Sequence, residues 1–495
     1  MMPGLSFSSK KKGRRQAVTE KPKPVAAQAV KDPLESFARS DFLESAGYYG
    51  TQATMLRSTT AQTGGLHLAI AEAPTSARGI FCGQDATTGW PVFHDEVTGY
   101  RIKTISSPNV VIIGDLGVGK SHFMKTWGVM RHLALGRRVV VIDKKMQATD
   151  QEDRDHEGEY AKLARTLGIE PIRFTGQVGG LKVNPLDPSI TSSGTLAAGQ
   201  TELLKAILAE IIQRPLNARE SKALRVAHAA ALERSEREQR EPVINDVVHF
   251  LLSPDPKVVA QQRGSFTTSD YLEWGTDIGF ALEECIDGDL KGLIDGPTSS
   301  EIRLNSGLTV FDISALPDNG PAVPVVMAII NTWVRNVIVQ QKKIVPTLFC
   351  VEEGWHLVTG NFAKISQQNT KKSRGLAFGT ATAYQHISDV PSDSPAIATI
   401  KEAGTVLLFK QARRDDAEQC QRLFGLHPAL VETIMKLPQG CALLLIGSRP
   451  PIVLKAIGSE LELELANTDS ALHSRAQTGL DGQVLGAVEK EGAIA

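Results

Sequence analysis

VVIIGDLGVGKSHF, residues 110–123, runs from β-branched apolar residues into a turn of glycines and ends near a lysine and a serine. The apolar part, NVVIIG (109–114), has no polar alternation, which predicts a short strand covered on both faces. Ser121 to Leu135 predicts a helix. Between the two, Gly114, Gly119, Lys120 and Ser121 satisfy the spacing GxxxxGK followed by Ser or Thr, in the strand, turn and helix order the pattern requires.

Backbone N–H groups of such a turn point inward around a β-phosphate, and the helix N-terminus adds a partial positive charge. The expected ligand is the phosphate chain of a nucleoside triphosphate, held by Gly114, Gly117, Val118, Gly119, Lys120, Ser121 and His122. Lys120 reaches the β- and γ-phosphates, and Ser121 offers its hydroxyl to Mg2+. The His122 imidazole reads as a helix-face group rather than a catalyst.

A chain of 495 residues, 42% hydrophobic and 22% charged, is globular and long enough for about two to four cores. Its net charge of −1 gives no global reason to expect a polyanion partner, so any nucleic-acid contact has to be local. Residues 1–40 carry nine Lys or Arg against three acids, a net of +6 that leaves the other 455 residues at −7. Residues 1–45 lack apolar periodicity and are expected to be a flexible basic tail, solvated or in contact with anionic lipid or DNA. Cys82, Cys285, Cys350, Cys420 and Cys441 are scattered, which argues against a disulfide framework or a zinc site and predicts reduced thiols in a cytoplasmic protein. No uncharged apolar stretch of about 18 residues occurs, so membrane contact is expected only through partners or the tail.

The predicted fold class is α/β with a mostly parallel sheet. Within a leading segment (46–108), residues 79–100 read as short strands, an entering hairpin packed beside the nucleotide domain. The first half of the core (109–195) continues with a second buried strand, RRVVVID (137–143), and another at 170–174. Residues 196–300 carry apolar positions at helical spacing alone and predict an all-helical inserted subdomain. The second half (301–472) holds candidate strands at 308–313, 347–351, 376–382, 405–410, 442–447 and 452–457, the last two forming an antiparallel edge. Residues 473–495 are expected to be a flexible C-terminal tail.

A nucleotidase also needs a carboxylate for the metal and one for the attacking water, usually at the end of a neighbouring strand. TLFCVEEGWHLV (347–358) offers Glu352 toward the metal and Glu353 toward the γ-phosphate. Gln385, after TATAY (380–384), is placed to hydrogen-bond the water or sense the γ-phosphate. Arg374 is the first candidate for a charge-stabilising arginine acting on a neighbouring subunit, with Arg413, Arg414 and Arg449 as others. Trp355 reads as a packing anchor.

With GDLGVGKS, VIDKK, GEYAKLARTLG, VNPLD, LTVFDISAL, FCVEEGWHLV, TATAYQH, LPQGCALLLIGSRP and NTDSAL in this order, residues 79–472 resemble the VirB-type energising ATPases of conjugative type IV secretion systems. These ATPases fall within the HerA–FtsK superfamily. The resemblance implies a RecA-like motor domain, ATP with Mg2+, a homo-hexamer, and work with other apparatus subunits at the inner face of a cell membrane. It carries over Gly114, Gly119, Lys120 and Ser121 as the phosphate loop, Glu353 as the catalytic carboxylate and Gln385 as the sensor. Three departures stand out. Glu352 replaces the family's Asp, MQATDQEDRDHE (146–157) inserts an acidic loop, and only about 78 residues precede the motor, so a separate chain is expected to replace the large N-terminal domain. The other readings are a DNA-translocating coupling or segregation ATPase and a nucleotide-binding structural component without turnover.

Overall fold

The apolar runs without polar alternation are strands with a core on each face. The structure, a computed structural model, describes residues 73–147, 157–177, 179–190, 196–352, 354, 377–390, 394, 397 and 400–467. The basic tail, residues 148–156 of the acidic loop, Glu353, Trp355, Arg374 and the C-terminal tail lie outside the described residues.

In chain order the strands are β1 (Phe81–Asp85), β2 (Pro91–Phe93), β3 (Asn109–Ile113), β4 (Arg138–Asp143), β5 (Met146–Gln147), β6 (Glu157–Gly158), β7 (Ile172–Arg173), β8 (Leu308–Asp312), β9 (Thr347–Val351), β10 (Phe378–Tyr384), β11 (Thr405–Phe409), β12 (Cys441–Ile446) and β13 (Ile452–Ala456). Eleven of them form one sheet in the order β2-β1-β13-β12-β11-β3-β10-β9-β4-β8-β7, parallel from β11 to β7. Strands β5 and β6 form a separate small ribbon.

The helices are α1 (Glu96–Arg101), α2 (Lys120–Phe123, then a π-helical Met124–Met130, then Arg131–Ala134) and α3 (Ala161–Thr166). Next come α4 (Leu196–Ile211), α5 (Ala218–Arg237), α6 (Ile244–Leu252), α7 (Pro256–Ala260) and α8 (Thr268–Asp287). The last are α9 (Ala322–Gln340), α10 (Arg414–Phe424), α11 (Leu430–Lys436) and α12 (Glu460–Ala466).

Alternate residues of each central strand divide between two cores. Val110 and Ile112 of β3, Val139 and Val141 of β4 and Leu348 and Cys350 of β9 face Phe123, Met124 and Trp127 of α2. Val111, Ile113, Val140, Ile142, Phe349 and Val351 face the other way, into the core shared with the helices from α4 to α11. Burial on both sides explains why a period of two is invisible in these segments.

Local signals place the helix starts between residues 196 and 287. Asn217 and Glu220 form a reciprocal capping box at α5, and Thr267 and Asp270 form one at α8. Among the described residues α9 is the one helix long and apolar enough to cross a membrane, but most of it is buried, with Trp333 against Phe311 of β8.

Two expectations are corrected. The hairpin β1–β2 joins the sheet of the nucleotide domain instead of packing beside it, and although β12 and β13 pair antiparallel as expected, β1 and β2 follow β13 and form the edge. Gly83 permits this, because a Cβ there would lie 2.1 Å from the Lys455 carbonyl oxygen on β13. Residues 96–101 are helical rather than extended because Asp95 caps them, its Oδ1 accepting from the Thr98 N–H and from Arg137. The five cysteines are buried and unbridged.

His228 of α5 is buried, with Nδ1 against the Thr201 hydroxyl at 3.0 Å and Nε2 against Gln200 Oε1 at 3.2 Å. Burial lowers its pKa from 6.5 to about 4. The unfolded chain takes up this proton near pH 6.5 and the folded chain only near 4, so between those values stability falls as pH falls. The loss is expected to be on the order of 1–3 kcal/mol at the acid end. His228→Asn should show a shallower decline of melting temperature over that window than the unsubstituted protein, and an unchanged slope would refute the assignment.

Candidate functional site

The turn after β3 is built around two glycines with left-handed backbone, Gly117 (φ 72) and Gly119 (φ 104). Gly119 also passes close to Gly440, whose Cα would lie 3.3 Å from an added Cβ, so the position excludes side chains twice over. Lys120 opens α2 and folds its side chain into the turn, donating from Nζ to the carbonyls of Gly114 at 2.5 Å and Asp115 at 2.6 Å. Val118 is buried, whereas Gly117 is open to solvent.

The loop is tied from outside by three other segments. Gly114 N–H donates to Tyr384 at the end of β10, and Asp115 N–H donates to Lys410 just after β11. Asp115 Oδ2 accepts from the Ala412 N–H at 2.6 Å. The LPQG turn before β12 supplies the Gln439 amide to the Gly117 carbonyl at 2.9 Å and the Gly440 N–H to the Val118 carbonyl at 3.0 Å. His386 lies between Asp115 (3.7 Å) and Asp416 of α10 (3.3 Å).

Glu352, directly after β9, is buried against the start of α2. Ser121 Oγ donates to Glu352 Oε2 at 3.0 Å, and the Tyr160 hydroxyl donates to Glu352 Oε1 at 2.5 Å. Lys145 Nζ donates to Ser121 Oγ at 3.2 Å. A serine hydroxyl and a carboxylate converging at a helix N-terminus form the hard-oxygen donor set that suits Mg2+, which takes few protein ligands and keeps waters and phosphate oxygens for the rest. No cluster of three or more His, Cys, Asp or Glu suited to a metal occurs among the described residues.

Tyr160 reaches Glu352 because two strand ends catch the returning chain. Asp143 and Asp312 are register partners at the ends of β4 and β8. Asp143 Oδ2 accepts from the Tyr160 N–H at 2.7 Å, and Asp312 Oδ2 accepts from the Gly158 N–H at 3.1 Å. A Cβ on Gly158 would sit 2.3 Å from Asp143 Oδ2, so glycine is needed there. Glu159, between them, lies 3.6 Å from Lys125 Nζ and 3.8 Å from Lys145 Nζ. Burial, with Asp312 alongside, raises the Asp143 carboxyl well above the usual range, and burial also raises Glu159 and the Tyr160 phenol.

The predicted residues fall as follows. Gly114, Gly117, Val118, Gly119, Lys120, Ser121 and Glu352 come together in one place. Gln385 is half-buried directly after β10, and β10 lies between β3 and β9, so this residue stands between the strand that leads into the phosphate loop and the acidic strand. His122 is half-buried beside the field of Glu462, Lys125 and Arg131, and burial lowers its pKa. Arg413 and Arg414 are exposed at the start of α10, where Arg414 pairs with Glu418 and Glu432, and Arg449 donates to the Pro74 carbonyl. Glu353 and Arg374 lie outside the described residues. Lys145, Glu159 and Tyr160 were not singled out from sequence as site residues, although VIDKK and GEYAKLARTLG contain them.

No protein-family model matches the sequence, and no curated protein matches it. Among solved structures, VirB4 of Thermoanaerobacter pseudethanolicus is similar with a TM-score of 0.64 at 21% identity, over 79% of this chain and 100% of that one. The plasmid coupling protein TrwB in complex with the non-hydrolysable ATP analogue ADPNP is similar at 0.50 and 13% identity, over 80% of this chain and 93% of that one. The resemblance read from the motifs is thus met by the fold, and the chain has the RecA-like P-loop fold that these two proteins share.

Proposed function

We propose that this chain is an ATP-hydrolysing motor of a conjugation or type IV secretion apparatus. The observation that carries the reading is the meeting of Ser121, from the phosphate loop, with Glu352, from a neighbouring parallel strand, at 3.0 Å. The fold shared with VirB4 and the nucleotide analogue held by TrwB support it. A homo-hexamer working with other subunits of the apparatus at the cytoplasmic face of the membrane completes the proposal.

In this reading the Gly114–Ser121 turn binds the phosphates through backbone N–H groups, and Lys120 exchanges its two carbonyl partners for phosphate oxygens. Ser121 and Glu352 hold Mg2+, which when bound neutralises charge on the β- and γ-phosphates. Glu353 takes the proton of the attacking water, Gln385 orients that water, and Arg374 of a neighbouring copy offsets developing charge. Arg413 follows Ala412, which is bonded to Asp115, and so borders the chain's own phosphate loop. Tyr160 keeps Glu352 turned toward Ser121 by holding its second oxygen.

Steady-state ATP hydrolysis with Mg2+ tests the assignment, for the unsubstituted protein, Lys120→Ala and Glu353→Gln, each with and without DNA. Turnover indifferent to DNA, reduced about 100-fold or more in both variants, is expected. DNA-stimulated turnover would replace the reading with a DNA translocase, and nucleotide binding without turnover would replace it with a structural component. The Tyr160–Glu352 contact makes a separate prediction about stability. Glu352→Leu strands a buried hydroxyl and should cost about 1–3 kcal/mol in denaturant unfolding. Adding Tyr160→Phe to that variant should recover part of the loss, whereas strictly additive effects would show that the two groups do not interact.

A further inference from the structure

After β4 two lysines part company. Lys144 turns away, donating to the Leu316 carbonyl at 3.0 Å and pairing with Asp318 at 2.6 Å. Lys145 turns toward the phosphate loop, where its Nζ lies 3.2 Å from Ser121 Oγ and 3.8 Å from Glu159 Oε1. Ser121 therefore accepts from a cation on one side and donates to the Glu352 carboxylate on the other. A divalent ion bound to the same hydroxyl oxygen meets the Lys145 charge at short range, and like charges sharing one oxygen repel strongly. Glu159 lies within ion-pair distance of Lys145, and the Tyr160 hydroxyl holds the Glu352 oxygen that Ser121 does not.

We propose that Lys145 is a resident cation of the metal position: the ammonium and the divalent ion are alternative occupants of Ser121, with Glu159 receiving the ammonium as the ion loads. The inference rests on the metal reading of Ser121 and Glu352 given above. Its consequence is ordered loading. Lys145 keeps a lone divalent ion out until phosphates bring negative charge to the loop, and it leaves the Ser121–Glu352 pair partnered meanwhile.

The test is Mn2+ binding to the full chain, followed by electron paramagnetic resonance with saturating ADP, so that no turnover enters the measurement. Lys145→Met, at a partly exposed position, should bind Mn2+ about tenfold more tightly than the unsubstituted protein. Lys145→Arg, which keeps the charge, should stay near the original affinity, and Glu159→Gln, which removes the receiver, should bind more weakly. Equal or weaker Mn2+ binding in Lys145→Met, with the unsubstituted protein binding normally, would overturn this inference alone and make Lys145 a ligand of the phosphates. Failure of the unsubstituted protein to bind Mn2+ with ADP would instead remove the metal reading beneath it.

Discussion

A carboxylate carried to the end of a buried strand has to be hydrogen-bonded at both oxygens, because an unpartnered charge out of water is strongly destabilising. Glu352 meets that condition through Ser121 on one oxygen and Tyr160 on the other. Much of the surrounding architecture follows from it. The chain leaving β4 has to come back to deliver Tyr160, and its described end is held by Asp143 and Asp312 through the N–H groups of Tyr160 and Gly158. Asp143, Glu159, Asp312 and Glu352 gather here, with Lys125 and Lys145 beside Glu159 and Arg173 beside Asp312. Burial raises the Asp143 and Glu159 carboxyls, and for Glu159 the Lys125 and Lys145 ammoniums oppose that rise.

The phosphate loop and the parallel strands were legible because each is a local signal. Gly119 needs a left-handed backbone, Lys120 and Ser121 follow at fixed spacing, and the β-branched runs of β3, β4 and β11 carry their two-sided burial in their composition. What was not legible was lateral order and anything set by it. Nothing local says that β10 slips between β3 and β9, although that insertion puts Gln385 between the strand that leads into the phosphate loop and the acidic strand. Nothing local marks Tyr160 or Lys145 either, since each is placed by a contact with a residue 192 positions away in one case and 24 in the other. The edge was misread for a related reason. The apolar runs of β12 and β13 look like a sheet boundary until Gly83 allows another strand to close against Lys455.

The two sides of the site differ in how they are held, and this difference decides where it can adjust. On the side of β11 and β12 the loop is fixed largely through main-chain groups, Asp115 and Val118 each bonding the backbone of another segment, and Gly114 makes a main-chain bond of the same kind to the end of β10 on the other flank. On the side of β4 and β9 the ties are side-chain contacts, from Ser121 to Glu352, Lys145 to Ser121 and Tyr160 to Glu352. Main-chain ties of the first kind move only if strands move, whereas side-chain ties rearrange by rotation about single bonds. The phosphate-loop half of the site is therefore preorganised by the fold, and the half at Ser121 and Glu352 is adjustable. Ser121 can then change partners without disturbing the left-handed turn at Gly119.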